Sequence, residues 1–192
     1  GDRDICYFDD IYDKDAVTLK TRYEHARDEV YVCHDWKWAK RDAELQLLPI
    51  TPNTRFTKAY ALPPNYARLS NVCSDSGMTI PIEDNCFDIA NGQLRTDNEF
   101  VFMDYVANDW SEAVWPAYFA ACVALKLAEA ACLKITYDRG LKQQLGKDYA
   151  QTVMPFARST DSTAQPFKRK LVRSAWNEAR LGRQGFSNLR RR

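Results

Sequence analysis

The hydrophobic pattern from Ser111 to Thr136 predicts a long buried helix around which the rest of the chain packs. Large apolar side chains recur there at steps of three and four, the spacing that aligns side chains on one helix face. Alanines occupy most other positions, so we expect this helix to be covered on several sides. Asp109 and Glu112 have the spacing of a capping box, and Pro116 requires the main helix to begin near it. The stripe comprises Trp115, Tyr118, Phe119, Cys122, Leu125, Ala128 and Cys132.

Two amphipathic helices are predicted on either side of this central helix. The first runs from Asp15 to about His34, and the second from Leu141 to Val153, where Pro155 prevents continuation. Two indoles closely follow the first helix, and such pairs usually anchor an element on a core, with an aromatic ligand platform as the alternative. The predicted core anchors are Tyr23, Trp36, Trp38, Trp115 and Phe119.

Short alternating segments between the helices predict strands. Asn91-Gly92 separates two of them and is a strong hairpin signal, because both turn positions require positive φ. A proline-rich stretch after Pro49 is predicted to be a loop that leads into a strand. The predicted strands are 42–50, Ala67–Cys73, Thr79–Ile82, Cys86–Ala90, Gln93–Thr96 and Glu99–Val106.

These elements predict a mainly α fold, a helical bundle around the Ala-rich helix with a small antiparallel β insertion at about 67–106. The core is expected to span residues 1–156, and 157–192 to form a linker with an extended, basic C-terminal arm. No membrane span is predicted, because Val114 to Leu125 reaches about half of the roughly 20 apolar residues that a bilayer requires.

Charge is distributed unevenly along the chain. Residues 165–192 contain nine basic residues and one acidic residue, whereas residues 1–164 contain 18 basic and 25 acidic residues. The overall charge of +1 thus combines an acidic body of −7 with a basic end of +8. This asymmetry indicates a partner for the basic end, which is nucleic acid, a membrane surface or an acidic protein surface.

The segment from Lys168 to Arg183 is called the docking arm below. It mixes basic with apolar side chains, a composition that suits a protein groove at least as well as phosphates, and Trp176 and Arg180 are its predicted anchors. The predicted docking residues are Lys168, Arg169, Lys170, Leu171, Arg173, Trp176, Arg180 and Arg183.

The sequence contains none of the common catalytic, phosphate-binding or zinc-binding motifs. Its six cysteines form no CxxC pair and are interpreted as free thiols. Cys33-His34-Asp35 places a thiol beside an imidazole, but neighbours along a helix point in different directions. Clustered aspartates at 9, 10, 13 and 15 lack the fixed spacing of a cation site. We therefore predict a protein that is not an enzyme and has no cofactor or metal.

The order of several loose motifs resembles that of phage head-to-tail adaptors of the tail tubular protein A type. Tyr23 to Val30, followed by His34-Asp35-Trp36-Lys37-Trp38-Ala39, is similar to the Tyr-x-x-x-Arg-Asp…Pro-Trp-x-Phe-Ala signature near the start of that family. Asp35 stands where the family usually has proline. The resemblance covers most of the chain, and its later motifs are Tyr60-Ala61-Leu62-Pro63, Arg68-Leu69, the hairpin, Glu99–Val106, the Ala-rich helix and Ser174-Ala175-Trp176-x-x-Ala179-Arg180.

The resemblance implies a structural protein of the virion at the head–tail interface, assembled in the host cytoplasm. Such adaptors form rings, commonly twelvefold, that join the portal to a tail nozzle or tail tube protein. DNA passes through their channel, and an acidic body suits a channel that must not retain DNA. The alternative is an accessory protein that binds nucleic acid through its basic tail.

Overall fold

The structure is a computed structural model that describes residues 13–49 and 55–164. Ten regular elements make up this part of the chain, together with short 3₁₀ turns. In chain order they are α1 (Lys14–Cys33), β1 (Lys40–Glu44), β2 (Lys58–Ala61), β3 (Tyr66–Cys73), β4 (Phe87–Ala90), β5 (Gln93–Thr96), β6 (Phe102–Ala107), α2 (Ala117–Ile135), α3 (Arg139–Asp148) and α4 (Met154–Ala164).

The observed fold is α+β, and the predicted helical bundle is wrong. Six strands form two three-stranded antiparallel sheets, sheet A in the order β1-β6-β3 and sheet B in the order β2-β5-β4. The strands come from residues 40–107 and not only from 67–106. Sheet A pairs Lys40 with Val106, a contact between distant segments that local periodicity does not reveal. Strand β2 was also hidden, because it lies in the proline-rich stretch.

Sheet A is the middle layer of the molecule. Residues of β6 alternate between its two faces, as strand geometry requires. Val106 belongs to the core formed with α1, α2 and α4, whereas Met103 and Tyr105 belong to the core shared with sheet B. The helices therefore cover one face of sheet A, and sheet B covers the other.

Helix α1 has a side-chain cap, whereas the capping box predicted for the central helix does not form. The Asp13 carboxylate accepts a hydrogen bond from the Asp15 N–H at 2.8 Å and caps α1. Pro116 precedes α2 as its N-cap, as predicted. Asp109 does not cap α2, which has no side-chain cap, and its carboxylate instead pairs with Arg41 at 2.9 Å. Within the described residues, no helix is long and apolar enough to cross a membrane.

The hairpin prediction is confirmed, but one predicted strand is absent. Asn91 (φ 54°) and Gly92 (φ 71°) connect β4 to β5 with the positive φ values expected at this turn. The segment Thr79–Ile82 contributes a single bridge, between Pro81 and Cys73, and forms no strand in the described part of the chain.

Helix α4 continues through Pro155 to Ala164, so the prediction of a linker from residue 157 is wrong up to that point. A π-helical turn, Tyr149–Val153, joins α3 to α4. In this turn the Met154 N–H donates to the carbonyl of Tyr149, five residues earlier. The hydrogen-bond register therefore shifts just before proline, which has no N–H to donate and normally clashes with the preceding turn.

Candidate functional site

The five predicted anchors meet in one aromatic cluster. Phe119 is at its centre and is completely buried. Its ring centroid lies 4.9 to 5.1 Å from those of Trp36, Trp38 and Trp115. Tyr31, which was not predicted as an anchor, lies closest at 4.8 Å. These edge-on and tilted contacts are typical of packed aromatic cores.

Trp36 and Tyr23 occupy opposite environments in this cluster. Trp36 is completely buried, and its indole N–H donates to the carbonyl of Val30 at 2.8 Å. It is therefore not part of an exposed ligand platform. Tyr23 is partly buried at the edge, where its hydroxyl donates to Glu112. Burial and this carboxylate raise the pKa of Tyr23, so the hydroxyl keeps its proton.

A second site lies next to the cluster and is centred on Asp161 of α4. This carboxylate is completely buried. It accepts hydrogen bonds from the Lys37 backbone N–H and from the Tyr118 hydroxyl, each at 3.0 Å. The Nε2 atom of His34 lies 3.4 Å from the same carboxylate. These residues are called the Asp161 network below, and they connect α4 to α2 and to the turn after α1.

Two further contacts hold α4 in place near its end. The Lys37 ammonium donates to the carbonyl of Ser162 at 2.6 Å. The guanidinium of Arg158 donates to the carbonyl of Cys33 at 3.0 Å. Both contacts, like the Asp161 network, lie close in sequence to Ala164, the last residue that the structure describes.

The protonation states in the Asp161 network follow from its burial. Burial raises the pKa of the Tyr118 hydroxyl, and its hydrogen bond to Asp161 raises it further. Burial lowers the pKa of His34 below its ordinary value, and the Arg158 charge acts in the same direction. The Asp161 carboxylate opposes this shift without outweighing it. His34 is therefore held mainly in its neutral form at pH 7.

Cys33, His34 and Asp35 turn to three different partners. The Cys33 thiol donates to the carbonyl of Val30 at 2.9 Å, and burial raises its pKa. Asp35 pairs with Lys40 at 2.7 Å, whereas His34 faces Asp161. A thiolate nucleophile requires a lowered pKa and an adjacent base, and this thiol has neither. The three side chains do not form a nucleophile–base pair.

Lys40 also lies 3.4 Å from Asp104 in the middle of sheet A. Burial raises the pKa of Asp104, and the Lys40 charge only partly offsets that effect. One oxygen of Asp104 is buried without a hydrogen-bond partner. Among the described residues, no group of three or more potential ligands is arranged to hold a metal ion.

The predicted docking residues, Lys168 to Arg183, lie outside the described residues. The Asp161 network was not predicted, because the segment 157–167 is small and polar and was interpreted as a linker. One signal was present in the sequence. Met154, Ala157 and Asp161 are spaced by three and four residues, and all three are buried along one face of α4.

No protein-family model matches the sequence, and no curated protein shows significant similarity to it. The resemblance to phage adaptors therefore stays a prediction that rests on the motifs and their order.

Proposed function

We propose that this protein is a structural component of a phage virion, a head-to-tail adaptor whose copies form a ring between the portal and the tail. The observation that carries the proposal is the separation of charge, with a net −7 over residues 1–164 and +8 over residues 165–192. An acidic ring does not hold back passing DNA, whereas a basic arm of mixed character suits an acidic protein surface.

The Asp161 network supports this proposal by giving the arm a rigid base. Tyr118 of α2 and the backbone of Lys37 both bind the Asp161 carboxylate. A fixed point of attachment reduces the conformational entropy that the arm loses on binding its partner. Where the arm binds a neighbouring copy, the arm and the surface that it contacts are different parts of the chain. Such heterologous contacts generate closed rings when the rotation between copies allows it.

A truncation after Phe167 tests this proposal. The shortened chain retains Asp161 and Ser162, so we expect a folded monomer that no longer binds portal rings. Co-elution with the portal of the same phage, followed by negative-stain imaging, measures the binding. A chain that lacks only Arg190, Arg191 and Arg192 is the control, since it keeps the docking arm and should bind. Portal binding by the truncated chain would overturn the role given to the arm.

A titration with duplex DNA separates the adaptor from the nucleic-acid-binding alternative. Each neutralised phosphate contributes about −0.9 to the slope of log affinity against log salt. Saturable binding with a slope of about −8, as expected if all nine basic residues of the tail neutralise phosphates, would favour the alternative. The adaptor is expected to show neither saturation nor a steep slope at physiological salt.

A further inference from the structure

A groove with an accessible volume of about 680 Å³ opens where the chain passes from sheet A to sheet B. The Leu45 N–H still donates to the carbonyl of Val101, next to β6, at 2.9 Å. Three residues later, the Leu48 N–H donates to the carbonyl of Ala59 in β2 at 2.8 Å. The groove lies between these two hydrogen bonds, where the chain leaves one sheet and joins the other.

The walls of the groove are apolar and its rim is acidic. Leu47 and Phe100 line it, and each is 57% exposed, a large value for side chains of this kind. The hydroxyl of the buried Tyr60 is bonded to the backbone carbonyl of Glu99 at 2.8 Å, which holds one wall in place. Glu44 and Glu99 are exposed, and none of the described residues that line the groove is basic.

We propose that this groove is the resting site of the chain's own docking arm, with Trp176 against Leu47 and Phe100 and the basic side chains beside Glu44 and Glu99. The arm has the complementary composition, since it combines an indole and two leucines with six basic residues and a single acidic residue between Lys168 and Arg183. A volume of this size accepts an indole together with an aliphatic neighbour.

The arm is long enough to reach the groove of its own chain. Its base is beside Lys37, because the Lys37 ammonium binds the carbonyl of Ser162. From Lys37 to Leu47 the chain takes ten steps, which span at most about 35 Å. From Ala164 to Trp176 it takes twelve, which span up to about 40 Å. An extended arm can therefore span a path of this length.

Tethering favours the chain's own arm over that of a second copy. A segment joined by a short linker has an effective concentration in the millimolar range, well above the working concentration of a free subunit. Docking within the chain would cover the exposed Leu47 and Phe100 until the arm is released to another partner. The proposal concerns the free subunit, so it stands or falls independently of portal binding.

Photocrosslinking in the full-length protein tests this proposal. A photoreactive phenylalanine analogue replaces Phe100 in one variant and Ile80 in a matched control, which is 58% exposed on the loop before β4. After irradiation, mass spectrometry should map the Phe100 crosslink to peptides within Lys168–Arg183, in protein of monomer mass. The Ile80 variant should give no such product. Crosslinks from Phe100 to other peptides, only to a second copy, or to none would overturn the proposal.

Substitutions in the arm and at the rim sharpen the result without touching the core. Trp176→Ala should lower the Phe100 crosslink yield by at least about tenfold, as expected for an anchoring tryptophan. Reversing the rim charges with Glu44→Lys and Glu99→Lys should lower it by about threefold at low salt and less at high salt. Circular dichroism checks that each variant is folded. Unchanged yields in these variants would show that the groove does not recognise the arm.

Discussion

The helical layer and the sheet layer of this protein are stabilised in different ways. Around Phe119, four aromatic side chains from α1, α2 and the connecting segments pack against one buried ring. Between the sheets, the core contains Tyr60 and Tyr105 but consists otherwise of non-aromatic side chains, of which Leu94 is completely buried. Packing in the helical layer is therefore concentrated around one side chain, whereas in the sheet layer it is distributed over several. Single substitutions should reveal this difference.

Each layer also contains a carboxylate, and the two have unequal partners. Asp161 is buried with both oxygens hydrogen-bonded. Asp104 is partly buried, with one oxygen near Lys40 and the other without a partner. A buried polar group costs little when it is satisfied and much when it is not. The comparison suggests that Asp161 stabilises its layer, whereas Asp104 contributes little to its own.

The largest effect is expected for Phe119→Ala. Four rings pack against this side chain, so we expect a loss of about 4 to 5 kcal/mol in the free energy of unfolding, near the upper end for such truncations. The corresponding change in the sheet layer, Leu94→Ala, should cost about 2 to 3 kcal/mol. Urea denaturation followed by circular dichroism measures both.

Phe156→Ala is the control for the Phe119 substitution. This phenylalanine is 66% exposed on α4, so its removal should change stability by less than about 0.5 kcal/mol. If the Phe119→Ala chain does not fold, Phe119→Leu should still fold, with a loss of about 1 to 2 kcal/mol. Equal losses at Phe119 and Leu94 would contradict the concentrated burial of the helical layer.

The next largest effect is expected for Asp161→Ala. Its removal leaves the Lys37 N–H and the Tyr118 hydroxyl without their acceptor, which should cost about 2 to 3 kcal/mol. Asp104→Asn should cost less than about 1 kcal/mol, because Lys40 keeps Asp35 at 2.7 Å and a partly desolvated charge is removed. Urea titrations at pH 7 compare the two variants. A larger loss for Asp104→Asn would reverse the roles given to these carboxylates.

The elements predicted best from the sequence are those specified by local pattern. The periodic apolar residues of α1 and α2 predicted both helices, and Asn91-Gly92 predicted the β4–β5 turn. The core position of Phe119 follows from the same pattern, and that of Trp36 was predicted from its close spacing to Trp38. In each case the signal lies within one element, where spacing directly determines which side chains share a face.

The features that the sequence did not predict depend on partners distant in the chain. Strand β2 is four residues long and surrounded by prolines, and it is a strand only because β5 pairs with it. Asp161 was interpreted as part of a linker because its partners, His34, Lys37 and Tyr118, are between 43 and 127 positions away in the numbering. Pro155 indicated a helix end, but the π-helical turn before it allows the helix to continue.

The smallest effect is expected for His34→Gln, which tests whether protonation of His34 destabilises the helical layer at low pH. Because burial lowers the folded-state pKa of His34, the unfolded chain takes up a proton first as the pH falls below the ordinary value of 6.5. The stabilisation is fully present above that value and is lost as the pH decreases through it. His34→Gln retains an N–H for Asp161 but cannot titrate. Its unfolding free energy should therefore fall less than that of the natural protein between about pH 7.5 and pH 5.5.

Hydrogen exchange at α4 should show the same difference, whereas exchange in sheet B should not, because neither histidine of the chain lies in it. An equal decrease in both proteins would mean that another group carries the pH dependence.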